Sequence, residues 1–583
     1  MAPRFRMDRR QFLRRLGTGL AAAGLTPAFF SPRLRSSRGG NLGIATDGQY
    51  PFPYDVECFE AAERIVFTHP LEASLNIIPR DGTSLDIRLS CSNADLDADP
   101  TRPGGSASRT YSGVKDALEI PIFPQPDAPA FSYTIEYKEN AARAWKAIPE
   151  RKVKTPYLLG RDKIEVIVIS DDHGPDDGSA KVEDPLLQAL RLNGDYVNIF
   201  LKQLESDRNY SLDKDSELGR LTMGFCLAST IHQILSAENP DFIIHLGDHR
   251  GGFGYKWPGL GLKNQSEATA EDRALYERIF HLGTRKIFSV LTPTIPIYWA
   301  LGNHDGEQGF EATLEQATRY RRKYFRLPGP QAGGSSDENY YPVVWGLDKI
   351  DFGNRRKYPE GGFAFFILDN FRYLGREPQA PAEWTLGEGQ KEWLKDVLGR
   401  DAETKFVFFH HVMGGWPAGS DEQRKDSAYG RGPLFKAEDY ASFDLKPETI
   451  EQVELTEIMQ KNGVRAVFYG HDHIFHDRLI GPTANGKTMH GICAGSTKYD
   501  GELIWYKGNY WEKFYGHHGR FGDYKNPWET VPRTDFWGPS GYTKITIDKS
   551  GAVVVRYIRS AYHDRTNIPP QVKVGDIVQE ISL

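Results

Sequence analysis

Two hydrophobic periods divide the chain. From about residue 64 to 150 apolar positions alternate: Leu71, Ala73, Leu75 and Ile77 in LEASLNI, Leu85, Ile87, Leu89 and Cys91 in LDIRLSC, and Phe131, Tyr133, Ile135 and Tyr137 in FSYTIEY. A period of two turns one face to a core and the other to water, which predicts antiparallel strands. Asp81-Gly82 reads as a turn between the first two, and 92–113, rich in Asp, Pro, Gly and Ser, as a loop. The expectation is a small antiparallel β-sandwich over 64–155, preceded by a linker or arm at 39–63.

Beyond KTPYLLGRDK the pattern changes. Short, wholly apolar runs appear: IEVIVIS (164–170), DFIIHLG (241–247), IPIYWALG (295–302), FAFFILD (363–369), TKFVFFH (404–410), VRAVFYG (464–470) and KTMHGICAG (487–495). Helical stretches fit near 216–237, 267–290, 309–325, 388–399 and 447–461. Strands apolar on both faces, linked by crossover helices, predict an α/β layered sandwich over 156–583. YTKITIDKSGAVVVRYI closes it with a hairpin around Asp548 to Gly551. Two insertions interrupt it. One, at 181–215, carries an extra helix; the other, at 499–537, is dense in aromatics and reads either as a satellite core or as a lid or ligand-stacking wall.

Composition narrows the function classes. A chain of 583 residues is too long for one ordinary domain, and 39% hydrophobic with 26% charged residues is the balance of a globular protein. The net charge of -6 and the lack of a dominant basic patch argue against nucleic acid as a partner. The first 38 residues stand apart: Arg9 and Arg10, then Phe12 and Leu13, then a Gly/Ala-rich apolar stretch. This segment resembles a bacterial twin-arginine export signal, which implies the export machinery for folded proteins and a periplasmic or extracellular destination. The remainder carries 63 basic and 77 acidic residues, a charge of -14, with no transmembrane segment expected in the mature chain. The four cysteines, Cys58, Cys91, Cys226 and Cys493, show no CxxC spacing; Cys58 and Cys91 are either a disulfide or two buried thiols.

The chemistry lies where the apolar runs stop. VISDDHG ends in Asp171 and His173, IHLGDHRGG in Asp248, ALGNHDGE in Asn303, His304 and Asp305, FFHHVMGG in His410 and His411, and FYGHDH in His471 and His473. Sites in open α/β sheets gather beyond the carboxyl ends of strands, so five such tips predict one convergent metal centre. Mixed imidazole, amide and carboxylate ligands suit Zn, Mn or Fe better than Ca.

This order of motifs, over about 164–560, resembles the calcineurin-like metallophosphoesterases. The resemblance implies a four-layer αββα sandwich with two metal ions. Asp171, His173 and His473 would hold the first ion, Asp248 would bridge, and Asn303, His410 and His471 would complete the second. His304 would face the substrate, with Asp305 orienting it. The implied activity is hydrolysis of a small phosphomonoester or phosphodiester by a metal-bridging hydroxide attacking in line at phosphorus; the alternative is an inactive binding protein on the same fold. The D-x-H form at the first metal, in place of the tyrosine of purple acid phosphatases, gives no indication of tyrosinate–iron chemistry. The export signal, the leading β unit and EGQKEWLKDVL before the fourth motif more loosely resemble exported PhoD-like phosphatases. His249 is read as an outer contact of the metal site or a substrate contact, His411 as facing substrate or solvent, and His476, His517 and His518 as surface or loop residues.

Overall fold

The computed structural model describes residues 54–55, 57–96, 108–125, 127–139, 142, 144–158, 160–173, 217–249, 269, 282–302, 325, 327–329, 338–347, 361–369, 372–373, 384–411, 451–471, 473–480, 488–497, 530–532, 540–561 and 572–583. The segment 1–38, the insertion at 181–215 and nearly all of that at 499–537 lie outside them.

The N-terminal alternation builds two antiparallel sheets. One orders Arg64–His69, Glu72–Ile77, Leu118–Pro124 and Ala94–Asp95. The other orders Ser108–Val114, Leu85–Ser92, Ala130–Glu139 and Lys146–Ala147, with Arg151–Lys154 also pairing on Ala130–Glu139. Leu85, Ile87, Leu89, Phe131, Ile135, Ala73, Leu75 and Ile77 are all buried, so the apolar faces meet as the period requires. Asp81-Gly82 does turn, but the strands flanking it lie in different sheets. The end of the expected 92–113 loop is instead an edge strand, Ser108–Val114. It is mostly exposed, and it pairs through its backbone without the apolar alternation that would have marked it.

The C-terminal half is two larger sheets packed face to face. The first has six strands in the order Ile297–Trp299, Phe242–His245, Lys163–Ile169, Gly541–Asp548, Val553–Arg559 and Ile577–Ser582; the opening three are parallel and the rest antiparallel. The second has seven, with a parallel centre of Phe363–Ile367, Thr404–Phe408, Val464–Tyr469 and Met489–Ala494. Alternate residues of that centre serve two cores. Phe365, Phe406, Phe408 and Phe468 join the core shared with the first sheet. Phe366, Val407, Val467 and Tyr469 face Leu394 and Leu398 of helix α2 (Gly387–Leu398) and Leu455 and Met459 of helix α3 (Glu451–Lys461). Helix α1 (Glu217–Ala237) covers the first sheet; its Ser229 hydroxyl donates to the Ser560 carbonyl at 2.6 Å. The result is a helix–sheet–sheet–helix stack, the expected metallophosphoesterase-type layering.

The N-terminal sandwich is built into this stack. Arg64, fully buried, donates to the carbonyl of Ile297 at 2.6 Å. Tyr298 donates to Phe67 O at 3.3 Å, Tyr133 to Pro293 O at 2.7 Å, and Arg285 to Ala62 O at 2.7 Å. The first two bonds grip the edge strand Ile297–Trp299, whose exit leads to Gly302 and the Asn303 motif, and the other two hold the segment before it. All four cysteines are buried free thiols, Cys58 and Cys91 included. Among the described residues no helix is long and apolar enough to cross a membrane.

Candidate metal centre

Five parallel strands stop within three residues of a candidate ligand or of Gly302: Ile169 before Asp171, His245 before Asp248, Trp299 before Gly302, Phe408 before His410 and Tyr469 before His471. Backbone bonds stitch these exits together. Asp171 N–H donates to Gly247 O at 3.1 Å, His173 N–H to Asp248 O at 3.0 Å, and Gly470 N–H to His410 O at 2.9 Å. The amide of His471 donates to both Asp171 carboxylate oxygens, at 3.1 and 3.0 Å. Burial alone would raise the Asp171 pKa; His473 and His410 outweigh it and hold the carboxylate below its usual range.

The side chains converge from both sheets. His173 Nε2 lies 3.2 Å from His473 Nε2 and 3.6 Å from Asp248 Oδ2. His473 Nε2 is 3.4 Å from Asp171 Oδ1. His410 Nε2 is 3.2 Å from Asp248 Oδ2, and His471 Nδ1 is 3.3 Å from His410 Nε2. Two groups result, Asp171, His173, Asp248 and His473, and then Asp248, His410 and His471, each with donor atoms within 4.8 Å of one another. Asp248 belongs to both. Six of the seven residues read as ligands from the sequence therefore meet; Asn303, with His304 and Asp305, lies outside the described residues.

The donor set fits metal ions. The Leu246 carbonyl can only accept, so His410 Nδ1, 2.8 Å away, must donate to it. His410 Nε2 then faces the Asp248 carboxylate at 3.2 Å, and a cation between that nitrogen and the carboxylate would be held by both. Burial, with His410 adding to it, pushes the His471 pKa down to about 3, so this imidazole is neutral and ready to ligate.

Backbone strain marks the same residues. Among the described residues, non-glycine positions with positive φ are Asn93, Asp171 (52°), His173 (40°), Asp248 (53°), His471 (69°) and His473 (57°). A left-handed conformation costs an L-residue about 1–2 kcal/mol, and such costs persist where surrounding contacts enforce them for function. The glycines of the motifs supply the room. A Cβ on Gly302 would fall inside contact distance of the Asp248 amide and carboxylate; one on Gly470 would strike Ser170 Oγ and lie 2.5 Å from Asp171 Oδ2.

Two other histidines are more deeply buried than expected. His411 is fully buried with its ring 4.3 Å from that of His471, so it packs behind a candidate ligand and does not face solvent. His476 is no surface residue: it is fully buried in the strand Phe475–Ile480, which the polar look of HIFHDR concealed. His517 and His518 lie outside the described residues. His249 is buried and bonded to Asp172 at 2.7 Å. Asp172 and His245 escaped the sequence reading; the spacing of acid and imidazole in DDH and HLGDH was the available signal. Gln390 of EGQKEWL clamps the backbone of Asp369, accepting from its N–H at 2.8 Å and donating to its carbonyl at 2.7 Å.

Residues 225–475 match the model of the calcineurin-like phosphoesterase family. The chain carries a calcineurin-like phosphoesterase domain. The matched stretch of that phosphoesterase domain holds Asp248, His410, His471 and His473, while Asp171 and His173 precede it. Among solved structures, a purple acid phosphatase isolated from yellow lupin (Lupinus luteus) seeds is similar at 12% identity with a TM-score of 0.47, over 90% of this chain and 74% of that one. No curated protein matches in sequence. The phosphoesterase domain makes the chain a metal-dependent hydrolase of phosphoester bonds.

Proposed function

We propose that the chain hydrolyses small phosphomonoesters or phosphodiesters at a dinuclear metal centre. Asp171, His173 and His473 hold one ion, His410, His471 and Asn303 the other, and Asp248 bridges. The observation that carries this reading is the sharing of Asp248 by two donor groups whose members adopt left-handed backbone in five cases of six. A bridging carboxylate offsets the repulsion between two cations, and neutral imidazoles add ligands without excess charge. When bound, the ions stabilise charge on the phosphoryl oxygens and activate the attacking water.

The protein's own part is positional. Asp171 is held by the His471 amide and the Ser170 hydroxyl, which fix the orientation of its carboxylate. His410 is oriented by its Nδ1–H bond to the Leu246 carbonyl, which turns Nε2 toward Asp248. His304 contacts the transferred phosphoryl group or protonates the leaving oxygen, and Asp305 orients it. The twin-arginine segment supports export to the periplasm or beyond, and with the leading β unit it supports a PhoD-like arrangement.

The test is metal analysis with turnover of chromogenic phosphomonoesters and phosphodiesters after reconstitution with Mn, Zn, Fe or Ca. About two ions per chain and turnover with one ester class are expected. A protein that binds metal but turns over neither class is the inactive alternative. His304→Ala should abolish turnover and leave the metal content unchanged.

A further inference from the structure

Apart from the candidate ligands, and next to them in sequence, lies a further cluster of Asp172, His245 and His249. Asp172 and His245 are fully buried, and His249 is 4% exposed. Asp172 Oδ2 lies 3.2 Å from His245 Nε2 and 2.7 Å from His249 Nδ1. Each of the three sits on a different part of the scaffold that carries ligands. Asp172 lies between Asp171 and His173; His249 follows Asp248; His245 ends the strand that leads to Asp248.

The cluster has the composition of a metal site, and its hydrogen bonds say otherwise. The Gly247 amide donates to His245 Nδ1 at 3.0 Å, so that nitrogen carries a lone pair and no proton. A neutral His245 then bears its proton on Nε2 and spends it on Asp172. No lone pair remains there for an ion. Asp172 is thus an acceptor of two N–H groups. The rings are held from outside as well: His245 stacks on Trp299 at 4.2 Å and 21°, and His249 meets Phe288 at 5.6 Å and Trp299 at 5.7 Å. Trp299 closes the strand leading to Gly302 and Asn303. Two strand exits are therefore tied through one carboxylate, with the third, at Trp299, packed on its histidine partners; the two tied exits carry left-handed ligands that ordinary backbone preference would release.

The geometry points to Asp172 as a positioning residue of the metal centre, acting through His245 and His249 to hold the turns of Asp171, His173 and Asp248 in ligating shape. This inference rests on the dinuclear reading above. The role is mechanical: neither histidine is required to touch metal or substrate.

His249 provides the discriminating variants, because an asparagine there places its amide N–H2 close to where Nδ1–H now stands. The full chain is loaded with Co(II), and metal affinity, stoichiometry and the visible d–d spectrum are measured for wild type, Asp172→Asn, His249→Leu and His249→Asn. Loss of an outer hydrogen-bond partner typically weakens metal affinity about 10–100-fold. That loss, with an altered spectrum, is expected for Asp172→Asn and His249→Leu; His249→Asn should return both to near wild type. Should Asp172→Asn fail to fold, the two His249 variants decide alone. The inference is overturned if His249→Leu binds Co(II) as wild type does. It is also overturned if His249→Asn is as impaired as His249→Leu, or if wild type holds a third ion that His249→Leu loses. A wild type that binds no metal would instead remove the dinuclear reading itself.

Discussion

His173 and His473 point their Nε2 atoms at each other across 3.2 Å, although 300 residues separate them in the chain. One strand exit from each sheet is thereby joined, and Asp171 Oδ1 stands 3.4 Å from the same His473 nitrogen. His473→Ala is expected to cut the metal content from about two ions to about one. Activity should fall by more than the roughly 10–100-fold typical of outer-shell changes. Elemental analysis alongside turnover checks both; unchanged stoichiometry would show that His473 ligates nothing.

Gly470→Ala should be far more damaging than its size suggests. The added methyl meets Ser170 Oγ and Asp171 Oδ2 where the two sheets converge, and the neighbours are a short side chain and a candidate ligand. Metal affinity and activity are expected to drop together, with secondary structure retained by circular dichroism. A variant with wild-type affinity would mean that the exits can spread apart without cost.

Gly389→Ala is the opposite case. Gly389 is exposed in the first turn of helix α2 and an added Cβ meets nothing within 4 Å. Restricting the unfolded chain there should raise stability by about 0.4–1 kcal/mol, measured by denaturant unfolding, with turnover unchanged.

Removal of metal should lower thermal stability. Ions that bind only the folded state add roughly 2.7 kcal/mol at a hundredfold excess over Kd, and without them the crowded imidazoles and carboxylates repel. Chelation is expected to lower Tm, and re-addition of the preferred ion to restore it. A Tm indifferent to both would argue against the centre.

His476 makes the metal-free protein sensitive to acid. Burial, then the nearby Arg478 charge, holds its pKa well below the ordinary 6.5. Below about pH 6.5 the unfolded chain gains a proton at this residue that the folded chain refuses, so stability falls as pH falls. One such group contributes a slope of at most about 1.4 kcal/mol per pH unit. His476→Asn should flatten the stability profile between neutrality and pH 5 by up to that amount; an unchanged slope would show that His476 protonates in the folded state.

The strands were legible because their two burial states leave different marks. Double-sided burial writes runs such as IEVIVIS, and the structure places the strand Lys163–Ile169 over all but its last residue. Single-sided burial writes LDIRLSC, found as Leu85–Ser92. Ser108–Val114 writes nothing, since an exposed edge strand is held by backbone bonds alone. The meeting of Asp171, His173, Asp248, His410, His471 and His473 followed from where apolar runs stop. Asp172 and His245 did not, because an acid beside an acid and an imidazole ending FIIH look like ordinary boundaries. Their meaning depends on which sheet face each side chain takes, and hydrophobic pattern alone does not fix that for a strand buried on both sides.

The leading β unit reaches into the catalytic half through Arg64 and Tyr133, and Tyr298 bonds back to it at Phe67, so the strand Ile297–Trp299 and the segment before it are held. Anyone trimming this chain to a minimal enzyme would be cutting a clamp rather than a hinge. Recombinant versions should begin upstream of Tyr54, and a fragment starting near Lys163 would arrive with a loose edge and a guanidinium-sized gap beside the strand Ile297–Trp299.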